Sequence, residues 1–216
     1  MCGRYTVFTE DEIIEIRSII AEVSRKFGDG AVSNSVINPT NNAPVLVLDS
    51  NRLTPCPVSW GFPRWDGKGV IFNARSESAL QKPMFSKPLL TRRCVVPSTG
   101  FYEWAFESVL NQQISFFPSE KKTNSSGAKV KLLFRCPSEP MLYMAGMIST
   151  FTDRDGNLKD TFVILTTAAN ASMSPFHDRM PVILSPDERE KWISNETFMR
   201  EVLTRKGSEL EWKIAS

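Results

Sequence analysis

The sequence has little of what marks a metal site, a disulfide-rich protein or a membrane protein. Its 216 residues include one histidine and four cysteines, and the cysteines stand far apart with no CxxC pair. That spacing argues against a zinc site and against a disulfide framework. No apolar run reaches the roughly 18 residues of a membrane span, and the first residues lack the pattern of a signal peptide. We therefore expect a cytoplasmic protein with no membrane partner.

The net charge of the chain is only +2, which is too small to indicate nucleic-acid binding, but its distribution is uneven. Residues 52–104 carry eight basic and three acidic side chains, whereas residues 1–51 carry four basic and seven acidic ones. The basic segment also contains the aromatic residues Trp60, Phe62, Trp65, Phe72 and Phe85. Cations among aromatics suit a single-stranded nucleic acid. The alternative is a solvated face over a core that contains these rings.

Hydrophobic residues make up 41% of the chain, enough for a sizeable core. The capping-box pattern at 9–12 and the helical spacing of the isoleucines after it predict a helix over about 10–27. Short apolar runs predict strands at 45–48, 55–62, 69–73, 93–97, 100–104, 130–135, 141–149 and 161–167. Further helices are predicted at 74–81, 186–193 and 196–205, and a hairpin turn at 153–157. We expect one α+β domain over 1–216, with a mostly antiparallel, barrel-like sheet flanked by helices. A polar surface excursion is predicted at about 107–129, with a candidate strand at 114–117.

Cys2 is the candidate nucleophile. Removal of Met1 would leave an α-amine and a thiol on adjacent carbons, with unperturbed pKa values of about 7.7–8.0 and 8.5. An aldehyde can form a Schiff base with such an amine, and the thiol can then close a thiazolidine ring. The alternative is an incidental cysteine on a frayed terminus. With His177, the thiol also permits a papain-like cysteine hydrolase.

Two further residues are candidates for proton transfer. His177 is the only histidine, in a loop bounded by prolines, and a histidine suits proton transfer near neutral pH. Glu103 stands among aromatic residues, where burial would raise its pKa and suit it to general acid or base catalysis. The alternatives are a structural imidazole and a carboxylate paired with Arg75 or Arg93.

Asn73 and Arg75 follow an apolar strand. The amide of Asn73 suits the orientation of an amine or a sugar hydroxyl, although it equally suits the cap of the following helix. The guanidinium of Arg75 offers paired donors to a phosphate.

Six segments together resemble the SOS response-associated peptidase (SRAP) family, whose members shield abasic sites. The segments are MCGRY at 1–5, WGFPRW at 60–65, NARSE at 73–77, RRCVVP at 92–97, GFYEW at 100–104 and HDRMPVIL at 177–184. They fall in the family's order, and the resemblance extends from residue 1 to about 193.

The resemblance implies that Cys2 attacks the aldehyde of an abasic site in single-stranded DNA and forms a thiazolidine crosslink, within the DNA damage response. It implies that Asn73 orients the attacking end, that Glu103 assists proton transfers and Met1 removal, and that His177 aids ring opening and crosslink reversal. A lyase activity at abasic sites belongs to the same expectation. The implied chemistry needs no metal and no diffusible cofactor.

The resemblance also implies a set of DNA contacts, which comprises Arg4, Asn38, Trp65, Arg75, Met84, Thr166 and Arg179. It predicts a monomer that associates with the nucleoid when it acts on DNA, and it makes the replication machinery a candidate partner. Two alternatives remain open: a cysteine peptidase acting on other proteins through Cys2 and His177, and a non-catalytic single-strand-binding module.

Three features depart from the family pattern. The segment after Asn38, PTNNAP at 39–44, is looser than the usual pattern. Asp66 follows Trp65 where many relatives have a second aromatic residue, which predicts weaker stacking and repulsion near phosphate. The sequence ends at Ser216 where relatives commonly continue, which predicts that a closing strand is missing or rearranged.

Overall fold

The computed structural model of the chain describes residues 3–7, 13–33, 35–114, 127–137, 139–153 and 155–215. Met1 and the predicted nucleophile Cys2 lie outside the described residues, as do the capping-box segment 9–12 and most of the predicted strand 114–117. None of the helices in the described part of the chain is long and apolar enough to cross a bilayer.

The described elements are named here in chain order. The strands are β1 (Tyr5–Thr6), β2 (Val36–Ile37), β3 (Asn42–Asp49), β4 (Arg52–Trp60), β5 (Phe62–Pro63), β6 (Val70–Ile71), β7 (Asn73–Arg75), β8 (Arg93–Ser98), β9 (Gly100–Phe106), β10 (Lys129–Arg135), β11 (Leu142–Thr152), β12 (Leu158–Ala168), β13 (Arg179–Pro181), β14 (Ile183–Leu184) and β15 (Glu211–Ile214). The helices are α1 (Ile14–Phe27), α2 (Ser76–Ala79), α3 (Pro83–Thr91), α4 (Glu107–Ile114), α5 (Arg189–Ser194) and α6 (Glu196–Thr204), with a 3₁₀ turn at Pro186–Glu188.

A closed barrel forms the centre of the fold. Its strands pair in the order β4, β3, β8, β11 and β12, and β12 returns to β4 through the single parallel pair of the ring. Closure leaves these long apolar strands without open edges, which would otherwise invite aggregation. The predicted hairpin turn joins β11 to β12, where the N–H of Asp153 donates to the carbonyl of Asn157. The predicted α+β class with a mostly antiparallel, barrel-like sheet is confirmed.

A second sheet packs beside the barrel in the order β15, β10, β9, β1 and β2. The N-terminal strand β1 is therefore an inner strand, paired on both sides, and Tyr5 within it is fully buried. One hydrophobic core joins this sheet to the barrel, and it includes residues from Tyr5 to Leu210.

Several short strands were not predicted, namely β1, β2, β7, β13 and β14, and the helix predicted at 74–81 is the shorter α2, since 74 and 75 belong to β7. Three further elements differ from the sequence predictions. Helix α3 was not predicted because Pro83 and Pro88 interrupt it, yet Pro83 occupies its first turn, where a proline is tolerated, and Phe85 and Leu89 are buried. Helix α4 occupies the start of the polar stretch predicted as an irregular excursion. Strand β15, which was not predicted, pairs with β10 at the edge of the second sheet.

Candidate active site

The first described residues run beside the strand that carries Glu103. Strands β1 and β9 are antiparallel with Tyr5 opposite Phe101, and one further backbone hydrogen bond of 2.8 Å continues the ladder toward the N-terminus. Extending this register by two residues places Gly3 opposite Glu103. Gly3, two residues before β1, and the predicted acid–base residue Glu103 are therefore cross-strand neighbours.

The histidine loop packs on the same face of this sheet. Phe101 stacks on Phe134 with ring centroids 5.2 Å apart, and Phe134 meets the edge of Phe176 at 5.4 Å. Because residues i and i+2 of a strand share a face, Glu103 lies on the face of Phe101. Phe176 immediately precedes His177, so this aromatic row brings the histidine loop to the face that carries Glu103.

Glu103 is 7% exposed, as its aromatic neighbours suggested. Arg93, one of its two suggested partners, instead caps the C-terminal ends of two helices. The guanidinium of Arg93 donates to the main-chain carbonyls of Leu89, Leu90, Trp192 and Ile193. Burial lowers the pKa of this guanidinium. Arg93 therefore holds α3 and α5 against the barrel, and Arg75 is exposed at the end of β7.

Asn73 begins β7, which pairs in parallel with β12 so that Asn73 lies beside Ile164. The indole N–H of Trp60 donates to the carbonyl of Phe72 at 2.9 Å. The Trp60 ring also meets Tyr5 edge-on, with centroids 5.1 Å apart. Trp60 thus connects β1 to the start of β7, which sets Asn73 near the N-terminal strand. Asn73 follows a strand as predicted, but as the first residue of β7 it does not cap α2.

His177 has a partner for its Nδ1 atom in either protonation state. The backbone N–H of Arg179 lies 2.9 Å from Nδ1, and Oδ1 of Asp178 lies 2.8 Å from the same atom. A ring nitrogen has one in-plane site, so it serves only one of them at a time. Unprotonated Nδ1 accepts from Arg179, which leaves the proton of the neutral ring on Nε2. Protonated Nδ1 donates to Asp178. The Nδ1 atom therefore has one donor and one acceptor within hydrogen-bond distance.

Arg179 is buried in an ion pair that the sequence did not suggest. Its guanidinium donates to the two carboxylate oxygens of Glu77 at 2.7 and 2.8 Å and to the carbonyl of Thr166 at 2.7 Å. The guanidinium holds the pKa of Glu77 below its ordinary value. Arg179 is 7% exposed and Thr166 is 1% exposed, so these two predicted DNA contacts lie inside the protein. Glu77 belongs to the NARSE segment at 73–77, and this was the only sequence feature that pointed to a role for it.

Two other predicted DNA contacts meet at the surface. Nε of Arg4 donates to Oδ1 of Asn38 at 2.8 Å, and the guanidinium carbon lies 4.9 Å from the centroid of the Trp104 ring. Met84 lies partly buried on α3, and Arg75 is exposed on β7, so they belong to different elements.

Trp65 stands on the turn between β5 and β6, with 93% of its surface exposed. Asp66 beside it accepts from the backbone N–H of Lys68 at 2.9 Å and lies 3.3 Å from the guanidinium of Arg64. These contacts, the hydrogen bond first, lower the pKa of Asp66. The arginine offsets the negative charge that was expected to repel phosphate.

The three cysteines that the structure describes, Cys56, Cys94 and Cys136, are poorly suited to act as nucleophiles. Cys94 is fully buried in the core, and burial raises the pKa values of the Cys56 and Cys136 thiols to about 11. Such thiols are almost entirely protonated near neutral pH. Among the described residues, no three His, Cys, Asp or Glu side chains are grouped closely enough to hold a metal ion.

Comparisons with known proteins agree with this architecture. The SOS response associated peptidase (SRAP) family matches residues 1–214. The chain is 30% identical over 201 residues to abasic site processing protein YoqW of Bacillus subtilis (strain 168), covering 90% of this chain and 80% of that protein. It is 28% identical over 204 residues to abasic site processing protein YedK of Escherichia coli (strain K12), covering 93% and 83%. A crystal structure of a Bordetella bronchiseptica protein shares the fold, with a TM-score of 0.71, 18% identity and full coverage of both chains. The chain belongs to the SRAP family.

Proposed function

We propose that this protein processes abasic sites in single-stranded DNA, as part of the response to DNA damage, by forming a covalent crosslink through the mature N-terminal Cys2. Two relatives, YoqW and YedK, are named abasic site processing proteins. An abasic site carries the aldehyde that an N-terminal aminothiol captures, and no base has to be unstacked to reach it.

The observation that carries the proposal is the placement of β1. The register of this inner strand, extended by two residues, places Gly3 opposite Glu103, and the aromatic row on the same face leads to His177. The start of the described chain therefore lies beside a buried carboxylate, on the face that the histidine loop reaches. Trp60 links the same strand to the start of β7, where Asn73 stands.

The proposed reaction is balanced without a redox partner. The α-amine of Cys2 adds to the aldehyde carbon C1′ of the open sugar, and loss of one water gives an imine. The Cys2 sulfur then adds to the imine carbon, its proton passes to the nitrogen, and a five-membered thiazolidine ring closes. The net change is one water released for each crosslink formed.

Each site residue has a proposed task in this sequence. Glu103 transfers protons during loss of water, because a nearly buried carboxylate suits general acid–base catalysis. His177 protonates the sugar ring oxygen during ring opening and assists reversal or a lyase step. Asn73 orients the attacking amine through its amide. Glu103 also assists hydrolysis of the Met1–Cys2 bond, which exposes the amine.

The DNA contacts are proposed in two groups. Arg4, Asn38, Arg75 and Trp65 lie at or near the surface and are suited to contact phosphate or bases directly. Met84, Thr166 and Arg179 are more deeply placed, and the two buried residues are proposed to shape the channel wall beneath the strand.

A denaturing gel tests the crosslink. Purified protein is mixed with a single-stranded oligonucleotide that carries one abasic site, and a heat-stable shifted band is expected. Cys2→Ala should abolish the band, whereas Cys136→Ala is the matched control that should keep it, because burial keeps that thiol protonated. An oligonucleotide whose aldehyde has been reduced to an alcohol should give no band. A band that survives Cys2→Ala would refute the proposed nucleophile.

Intact mass of the N-terminus tests self-processing. The wild type should lack Met1, and Glu103→Gln should retain it in part or entirely. A form that retains Met1 yet crosslinks at full rate would contradict an attack by the α-amine. Hydrolysis of a peptide library that is lost in Cys2→Ala would favour the alternative of a cysteine peptidase acting on other proteins.

A further inference from the structure

Cations and aromatic rings alternate on the outer face of the five-stranded sheet, the face opposite to Glu103. The ammonium of Lys131 lies 4.1 Å from the centroid of the Tyr102 ring, and that of Lys129 lies 5.2 Å from the centroid of Phe106. The Arg4–Trp104 contact belongs to the same face. The outer row is therefore made of Arg4, Tyr102, Trp104, Phe106, Lys129 and Lys131.

Strand register makes this row continuous. Lys131 lies directly opposite Trp104, and Lys129 lies opposite Phe106. Residues two apart on a strand are about 6.6–6.8 Å apart, so the two lysines follow one another along β10 on one face. Arg4, directly before β1, extends the row toward Asn38, to which it is hydrogen-bonded. The row thus begins at two residues proposed to contact DNA.

The rings hold the cations in place. A lysine side chain in solution samples many rotamers, and ordering it on binding costs conformational entropy. A cation–π contact at an exposed site favours one fixed position of the ammonium. Each ammonium lies against its ring, and the Lys129 side chain is exposed whereas that of Lys131 is half-buried. The row therefore presents positioned positive charge rather than stacking surface.

The charge balance of the sheet favours an anionic ligand at this row. Lys213 on β15 lies opposite Leu133 and adds a cation to the same face. The acidic Glu211 of β15 lies directly opposite Arg135, at the far end of β10 from Lys129. The cations of the outer row are thus separated from that carboxylate along the strand.

We propose that the outer row is a phosphate-binding track for the single strand next to the abasic site. This inference rests on the proposed function for the identity of its ligand, because the row continues from Arg4 and Asn38. A chain of positioned cations matches the regularly spaced phosphates of a DNA strand, and its contribution is independent of sequence. The track would hold the flanking strand in register while the lesion occupies the site.

Salt-dependent binding tests the track without the covalent chemistry. The probe is a single strand carrying a tetrahydrofuran abasic analogue, which has no aldehyde, in a long version and in a short version that reaches only the lesion. Each phosphate contact on a single strand contributes about 0.7 to the slope of log affinity against log salt. The double variant Lys129→Gln/Lys131→Gln should lower the slope by about 1.4 with the long strand and leave it unchanged with the short one.

Two controls sharpen the test. Lys159→Gln/Lys191→Gln removes the same charge from exposed positions elsewhere and should leave the slope unchanged. Phe106→Leu keeps every charge, so it should leave the slope unchanged and weaken long-strand binding by about 2–5-fold, the equivalent of one exposed cation–π contact.

Three results would overturn the inference: wild-type slopes in the double variant, equal losses in the control pair, or equal losses on the short strand. If Phe106→Leu bound the long strand with the affinity of the wild type, the idea that the rings hold the lysines in position would be refuted. The probe cannot crosslink, so the salt dependence of binding can be interpreted even if the gel assay shows no crosslink. Loss of the long-strand slope with normal crosslinking would support the track alone.

Discussion

Replacing Glu77 by glutamine tests whether the buried ion pair stabilises the histidine loop. The guanidinium of Arg179 makes a two-pronged contact with Glu77, and the backbone N–H of the same arginine donates to His177. Glutamine keeps the shape of the side chain and one acceptor oxygen but removes the charge. The variant therefore leaves a nearly buried guanidinium with the Thr166 carbonyl as its remaining strong acceptor.

The magnitude follows from the burial of the two partners. The side chain of Arg179 is 8% exposed, whereas that of Glu77 is 50% exposed. Hydrogen bonds to charged groups are worth about 1.5–3 kcal/mol net, and exposure of one partner reduces this through solvent screening. We expect Glu77→Gln to lower the free energy of unfolding by about 1–3 kcal/mol at neutral pH. Glu196→Gln is the matched control, because its pair with Arg200 is about half exposed on both sides, and it should cost at most about 0.5 kcal/mol.

The pH dependence gives a second, independent readout. The folded-state pKa of Glu77 lies below its ordinary value of 4.5, so its stabilising effect is fully present above 4.5 and is lost as the pH falls through the folded pKa. The difference in stability between the wild type and Glu77→Gln should therefore be constant near neutrality and shrink as the pH falls below 4.5. Urea denaturation followed by tryptophan fluorescence measures both quantities. A difference below that of Glu196→Gln, or one that grows on acidification, would refute the reasoning.

Three further substitutions test separate parts of the structure. Trp65→Ala should change the free energy of unfolding by no more than about 0.5 kcal/mol, because the ring is 93% exposed. The same substitution should weaken single-strand binding, measured by fluorescence anisotropy, by about 1–3 kcal/mol. Unchanged binding would exclude the ring from the interface. Arg93→Met should cost about 3–5 kcal/mol in urea unfolding, because four carbonyls lose their donor. Arg92→Met, at an exposed ion pair, should cost less than about 1 kcal/mol, and equal losses would contradict the capping role. Gly61→Ala should cost about 1–3 kcal/mol in thermal unfolding, because φ is +113° and the new Cβ would lie 2.5 Å from the Val70 side chain; an unchanged Tm would show that the turn relaxes.

The barrel was largely predictable because its strands are long and apolar. Strand β8 contains the run from Cys94 to Val96, and β11 and β12 are joined by a turn rich in Asp, Gly and Asn, so local patterns alone mark them. Strand β1 was not predictable in the same way. It has two residues, and its two neighbours are 30 or more positions away in the sequence. A pattern of period two has no meaning over such a length, so only long-range pairing reveals it.

In the candidate site, too, some residues could be predicted from the local sequence, whereas others are revealed only by the fold. Residue type identified His177 as the lone histidine and Glu103 as a carboxylate among aromatic residues. In the structure, Glu103 lies on one face of the second sheet, and the loop that carries His177 packs on that same face. Sequence reasoning missed Glu77 as a partner of Arg179, because 102 positions separate them. The resemblance made Arg179 a DNA contact, and nothing in the local sequence records that its guanidinium is already paired. Burial of a charge is a property of its partners, and those come from the fold.

The position of β1 reconciles two demands that a terminal nucleophile places on a protein. Only the first residue of a chain carries a primary amine beside its own side chain, yet chain ends are usually frayed. Here Tyr5 and Val7 are fully buried and β1 is paired on both sides, so the backbone is fixed at Tyr5 and Thr6. Fixing a residue's backbone costs about 1–2 kcal/mol of conformational entropy, and the core contacts of Tyr5 offset it. If the proposed chemistry is correct, weakening those contacts should slow crosslinking before it unfolds the barrel, because β1 lies outside the closed ring of strands. Tyr5→Leu, which keeps an apolar side chain but loses the edge contact with Trp60, would separate the two effects: a slower reaction with a barrel of unchanged stability supports the argument, and a reaction at the wild-type rate refutes it.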